Sequence, residues 1–415
     1  MFLKFPKNFL WGTSTSAHQV EGNNCNDWTE WEKQNTDWLT SQAHKKWAPW
    51  QQKRFPEMFK PENYISGKAC DHYNLYEKDF DIAKQLGHNA HRFSIEWSRI
   101  EPKEGKFDKS GLAHYGAVIR ALKTRGMEPF VTLWHWTLPP WLSKKGGVLS
   151  DKFDRYFSRY VEFVCNGLKD DVEFWITLNE PTSVIANSYL KRQWPPQKMS
   201  VFAALKAYTN LSKAHNLAYD QIHRLSPKAK VGLANILTYI EPRNPRSFID
   251  RILAKIFHYY SNEKIFKLTS GRHDFLAIQY YFHNLVGAGK EKSLPEDKVS
   301  DMGWEIYPKG IRFVLEEVRK YNLPIFITEN GIADKSDSKR SPFMKSHIIE
   351  IHKAIEEGVD VRGYFYWSLL DNFEWDKGFW PRFGLVEIDY KTQRRTIRES
   401  AFDYQDIIQK NGVEL

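Results

Sequence analysis

Two glutamates stand where a short apolar run gives way to a turn: Glu180 in Thr177-Leu178-Asn179-Glu180-Pro181 and Glu329 in Ile327-Thr328-Glu329-Asn330-Gly331. The preceding runs, Phe174-Trp175-Ile176 and Ile325-Phe326-Ile327, read as strands buried on both faces. A strand end is a rigid mounting for a side chain. Two carboxyls held about 5 Å apart can break a glycosidic bond with retention, one as nucleophile and the other as acid and then base. Taken singly, each motif has a plainer reading. A Glu at a strand end is more often a loop ion-pair partner, and Asn-Glu-Pro is equally a helix N-terminal cap. The pair gains meaning only if one scaffold brings both to the same place.

The rest of the chain predicts such a scaffold. Eight strand candidates alternate with amphipathic helical stretches: 9–15, 89–95, 128–135, 173–179, 230–236, 275–281, 324–329 and 362–368. Between them, residues 73–85, 111–125, 151–167, 201–223, 309–321 and 346–357 carry apolar residues near helical spacing. Eight β/α units predict an α/β fold, a single (β/α)8 barrel over residues 1–415, with long βα loops forming the active-site face. The carboxyl ends of all eight strands then share that face, so distant glutamates can converge. A Trp-rich insert from Trp28 to Ser66, with Pro49, Pro56 and Pro61, interrupts the rhythm and is expected to be a long loop over the catalytic face, a wall or a lid. No linker, internal repeat or low-complexity run marks a boundary.

Composition narrows the function classes. Lys and Arg number 60 against 51 Asp and Glu, a net charge of +9, and the basic residues are dispersed. Without a basic stripe or interleaved aromatics, nucleic acid is not the expected partner. Cys25, Cys70 and Cys165 are too few and scattered for a disulfide framework or a zinc site, and inert thiols are the expectation. Lys4 and Lys7 interrupt the apolar N-terminal stretch, and no run reaches membrane-spanning length, so the sequence predicts a cytoplasmic protein with no membrane partner. No Gly-rich phosphate loop and no metal-ligand spacing is found, and the chemistry needs no cofactor or metal. The 16 Trp suit a cleft that stacks on the apolar faces of sugars.

Six stretches carry a more specific pattern: Phe9-Leu10-Trp11-Gly12 running on to Gln19, Glu21 and Gly22; Arg92 to Ile100; Leu133 to Leu142 with His135; Asn179-Glu180-Pro181; Thr328-Glu329-Asn330-Gly331; and Tyr366 to Trp375 with Trp367 and Glu374. In this order the chain resembles, from end to end, glycoside hydrolase family 1, the retaining β-glycosidases that include β-glucosidases and β-galactosidases. The resemblance implies that Glu180 is the acid/base and Glu329 the nucleophile, with Arg92 and Tyr281 beside Glu329. It implies that Gln19, His135, Asn179, Glu374 and Trp375 surround the non-reducing sugar, that Asn179 meets its 2-hydroxyl, and that Trp367 forms a stacking floor. Small β-glycosides or short oligosaccharides would be the substrates, with a β-glucosidase as the leading reading. Alternatives are a 6-phospho-β-glycosidase, a transglycosylase and a non-catalytic sugar-binding barrel. Against the phospho-sugar branch, the segment Asp376 to Arg382 looks like the neutral-sugar members, and an anionic phosphate beside Glu374 would be repelled.

The chain also departs from the family pattern. Gln279 stands where Asn is usual, Thr182 stands where an aromatic residue is common, and residues 240–274 form a shorter region than usual. These departures predict a shifted hydrogen bond near the nucleophile and a more open leaving-group side.

Overall fold

The computed structural model describes residues 1–289 and 294–415. Eight parallel strands close a barrel: β1 (Leu10–Ser14), β2 (Ala90–Ser94), β3 (Glu128–Trp134), β4 (Phe174–Asn179), β5 (Lys230–Ile236), β6 (Leu276–Gln279), β7 (Ile325–Asn330) and β8 (Val361–Trp367). Each expected strand is present, and β8 pairs with β1 to complete the ring, Gly363 opposite Leu10 and Trp367 opposite Ser14. The six expected helices are also found, the last beginning at Arg340, earlier than its apolar pattern predicts.

Two layers fill the barrel and divide its labour. At the amino-terminal end, Ala90, Phe130, Ile176, Ala234, Phe275, Ala277, Phe326 and Phe365 form an apolar plug in which small residues face large ones. Phe130 stacks on Phe174 at 4.3 Å and meets Phe275, Phe326 and Phe365 edge-on. Above the plug the inward positions turn polar: Arg92 two residues after Ala90, Thr132 two after Phe130, Gln279 two after Ala277. That spacing of two is the strand's own period.

In β4 and β7 the period breaks. Ile176 belongs to the plug and Asn179 to the polar layer, three residues on, and a register irregularity against β5 lies between them. Phe326 and Glu329 are likewise three apart, with irregularities against both β6 and β8. A bulge re-aims the side chains that follow it. The two strands that deliver the glutamates are therefore those whose alternation is locally interrupted.

The insert after β1 is mostly helical rather than a loop. A helix spans Asp27–Lys46, closed by a reciprocal cap in which Asn26 Oδ1 accepts from Thr29 N and Thr29 Oγ1 accepts from Asn26 N. Pro49, Pro56 and Pro61 each sit in the first turn of a short helix, where a missing N–H costs nothing, so they start structure instead of breaking it. Buried Glu32 ties the insert down, accepting from Ser66 N and Oγ and bonding His18 at 2.8 Å. It is a packed wall.

Because Phe130 is the ring on which the plug converges, Phe130→Ala is expected to lower unfolding free energy by about 3–5 kcal/mol, measured by denaturant titration.

Candidate active site

The polar layer converges on one cation. Arg92, fully buried, donates from Nε to Thr132 Oγ1 (3.0 Å), from Nη1 to Glu329 Oε1 (2.5 Å) and from Nη2 to Asn179 Oδ1 (2.5 Å). Gln279 Nε2 bridges the same two acceptors, at 2.8 Å from Asn179 and 2.7 Å from Glu329. Tyr281 donates its hydroxyl to the second Glu329 oxygen at 2.7 Å. Glu329 thus takes three donors. Glu180 has a poorer supply: the bond found among the described residues is that from Ser183 Oγ, at 2.7 Å. Its backbone has φ +40°, a left-handed conformation a side chain adopts only when its surroundings hold it there.

This imbalance decides where a proton resides. Burial, then the charge of Glu329, push the Glu180 carboxyl up to about 8, against the opposing pull of Ser183 and Arg92. Burial also raises Glu329, but Arg92 and Tyr281 oppose it. One proton shared between the two settles on the carboxyl with fewer donors. The two carboxyls are therefore unequal, Glu180 holding a proton more readily than Glu329.

The orientation of Asn179 fixes its neighbour. With Oδ1 facing two donors, its Nδ2 points to His135 Nε2 at 3.0 Å, so that nitrogen must accept and the ring proton sits on Nδ1. Burial, then Arg92 and His18, hold His135 well below the ordinary histidine range, so it is neutral. Its buried Nδ1 has no partner among the described protein groups and is a donor available to a ligand. Gln19 Nε2 lies 3.2 Å from Glu374 Oε2 and 3.0 Å from Asn372 Oδ1, while Ser16 holds its carbonyl. Glu374 is pushed up to about 8 by its low-dielectric surroundings, with Lys377 opposing and Asp376 and Glu329 adding.

The two expected sugar-facing indoles are more enclosed than a stacking role alone requires. Trp367 lies nearly parallel to His135 at 6.2 Å and packs with Tyr281, Trp380 and Phe383. Trp375 stacks on His18 at 5.2 Å and touches Trp28 and Trp136 at 4.6 and 4.5 Å, so the insert reaches the site through indoles. Asp376 accepts from Trp194 Nε1 and pairs with both Lys46 and Lys377, so both lysines are turned onto one carboxylate.

All the expected site residues meet on this face. Gln279 keeps a bond to Glu329, its longer arm reaching both acceptors. Thr182 turns inward to Asn235 (2.7 Å). Ser183, Thr132 and Trp136, whose Nε1 donates to the Asn179 carbonyl, carry no signal of their own in the sequence beyond lying within or beside the quoted motifs. A cleft of about 440 Å³ opens beside the carboxylates rather than over them, walled by Trp28, Trp31, Trp136, Val184 and Trp194. Elsewhere, His258, Glu263 and Glu317 bring possible ligand atoms within 4.8 Å of one another, but Lys267 and Lys320 already occupy Glu263. The three cysteines are free, two of them buried.

A closed barrel with a donor-supplied carboxylate facing a protonated one defines a glycoside hydrolase site. The profile of glycosyl hydrolase family 1 matches residues 2–267 and 254–413, and the chain belongs to that family. It is a retaining β-glycosidase. It is 33% identical to beta-glucosidase A of Thermotoga maritima over 99% of each chain, and 30% identical to a beta-galactosidase of Pyrococcus woesei over 99% of this chain and 98% of that one. The first alignment runs to 465 positions, longer than this chain, so the relative carries segments this chain lacks. The structure superposes on a beta-glycosidase from Pyrococcus horikoshii with a TM-score of 0.89 at 39% identity, covering 100% of this chain and 97% of the other.

Two substitutions separate the limbs of the pH profile. Ser183→Ala removes the bond that favours ionised Glu180, raising that carboxyl and moving the alkaline limb of kcat/KM upward by about one pH unit or less. Tyr281→Phe removes a donor from ionised Glu329, so the acid limb moves upward by a similar amount and the profile narrows instead of widening.

Proposed function

We propose that residues 1–415 act as one barrel unit that hydrolyses β-glucosides from the non-reducing end by double displacement. In the first step Glu329 attacks C1 while Glu180 gives its proton to the departing oxygen, leaving a glycosyl ester on Glu329. In the second, Glu180 takes a proton from water, the water oxygen bonds C1, and Glu329 leaves as carboxylate. The observation that carries this division is the unequal supply of donors, three to Glu329 and one found for Glu180.

Glycone recognition falls to the groups left pointing into the site. His135 Nδ1 is an unclaimed donor and Asn179 lies against it, which suits adjacent ring hydroxyls. Asn179 and Arg92 share a bond, so a hydrogen bond to the sugar's 2-hydroxyl would couple to the nucleophile as charge develops at C1. Gln19 and Glu374 present an amide and a carboxyl side by side, suited to the hydroxyls at the far side of the ring. A neutral sugar fits here better than a phosphorylated one, because the groups beside the ring position are the Gln19 amide and the Glu374 carboxyl, while Lys46 and Lys377 are both turned onto Asp376. Relatives support a glucoside or galactoside glycone: Thermotoga maritima beta-glucosidase is solved in complex with glucoimidazole and with galacto-hydroximolactam.

A panel of nitrophenyl β-glucoside, galactoside, fucoside, mannoside and glucoside-6-phosphate tests the glycone. Fastest turnover on the glucoside is expected, and preference for the 6-phosphate would reject the neutral-sugar reading. Glu329→Gln is expected to abolish turnover on every substrate. Glu180→Gln is expected to keep measurable activity only where the leaving group needs no proton, as with dinitrophenyl glycosides, and equal loss on activated and unactivated substrates would reject its role as the acid.

A further inference from the structure

The helix Phe248–His258 is turned inside out. Ser247 caps it and Asp250 anchors it, the Asp250 carboxylate accepting from Asn244 N at 3.1 Å and Ser247 Oγ at 3.2 Å. Only Asp250 and Ala254 are buried, and His258, four residues further, is half-buried: the helix turns its polar and small side toward the protein. Its large apolar residues face outward. Phe248 is 67% exposed, Ile249 66% and Ile256 51%, and Ile252, Leu253 and Phe257 are exposed with them. Water favours the reverse arrangement.

The segment after this helix packs on the Val201–Leu225 helix. Tyr208 donates its hydroxyl to the Tyr260 carbonyl at 2.6 Å, and Lys264 lies over both rings. Less than two turns before Tyr208, at the start of the Val201–Leu225 helix, Phe202 is 86% exposed, flanked by exposed Val201 and Met199. Six large apolar residues exposed together on the Phe248–His258 helix mark an interaction site, in contrast to scattered exposed side chains.

Charge indicates what covers it. Residues 243–268 hold six Lys and Arg against Asp250 and Glu263. Both acids are engaged, Asp250 in the cap and Glu263 by Lys267 and Lys320. Arg246, Arg251 and Lys255 are exposed and have no acidic partner among the described residues. At 100° per residue, Arg251 and Lys255 flank the edge of the apolar arc, where long cationic side chains can reach past buried carbons to a polar layer.

We propose that this face docks on an anionic lipid surface, with the Phe248–His258 helix lying in the plane of the headgroups, its outward apolar residues inserted and its cations meeting lipid phosphates. A second copy of the chain fits less well. A two-fold contact sets a patch against itself, bringing these unpaired cations together, and such projecting side chains would need matching grooves. A fluid acyl layer accepts them without any. The absence of a spanning segment, from which the sequence predicts no membrane partner, does not bear on a helix that lies on the surface; no helix among the described residues is long and apolar enough to cross a membrane. The docking helix follows β5 and the Phe202 helix follows β4, so the face borders the catalytic end of the barrel.

Flotation of the purified full chain with phosphatidylcholine vesicles, with and without phosphatidylglycerol, tests this. The wild type is expected to float with the anionic vesicles, and Ile249→Glu/Ile252→Glu/Ile256→Glu to lose about tenfold or more of that recovery while hydrolysing a soluble nitrophenyl glycoside as before. Should that variant fail to fold, hydrogen exchange on the wild type replaces it, with slowed exchange in residues 248–260 expected on adding anionic vesicles. A wild type that stays unbound, or whose exchange is unchanged by vesicles, overturns the proposal. So does a wild-type dimer in light scattering that the triple substitution makes monomeric.

Discussion

Arg92 is the charge around which the upper barrel is organised. A guanidinium removed from water is costly unless its donors are met, and here Thr132, Glu329 and Asn179 meet them from three other strands. Two further consequences follow from the same contact. Arg92 opposes the burial that raises Glu329, and Glu180 keeps a proton because it is buried and because Glu329 carries charge beside it. Chemistry and architecture share one ion pair: removing the cation would leave a buried carboxylate without its counter-charge and narrow the difference between the two glutamates, with only Gln279 and Tyr281 left donating to Glu329 among the described residues.

The plug beneath this layer has a matching role. Polar groups in a barrel centre are affordable only if water cannot reach them from below, and the ring of phenylalanines closes that end. The apolar layer excludes solvent, the polar layer inherits a low dielectric, and the low dielectric strengthens every bond to Glu329.

Much of this was legible in the chain. The eight strands stand out because parallel strands covered on both faces are near-continuous apolar runs, and the motif residues lie at their ends. Less legible were features set by tertiary geometry. The bulges in β4 and β7 leave no residue signature, yet they aim Asn179 and Glu329 inward. The insert was misread as a loop because its prolines suggest breaks, whereas each occupies a first helical turn. Gln279 in the sequence predicts a shifted hydrogen bond, and only the spacing of its two acceptors reveals that its extra methylene spans them. The outward apolar face of Phe248–His258 has an ordinary amphipathic pattern, and a pattern of that kind does not say which side meets the protein.

The indoles of Trp28, Trp136, Trp194 and Trp375 lie within a few ångströms of one another, with Trp375 against the imidazoles of His18 and His135. Rings so close share electronic excitation, and the emission of the group is governed by whichever member meets the most polar surroundings. An occupant that displaces solvent near Trp375 would therefore alter the light from the whole cluster, and the enzyme carries its own optical gauge of occupancy.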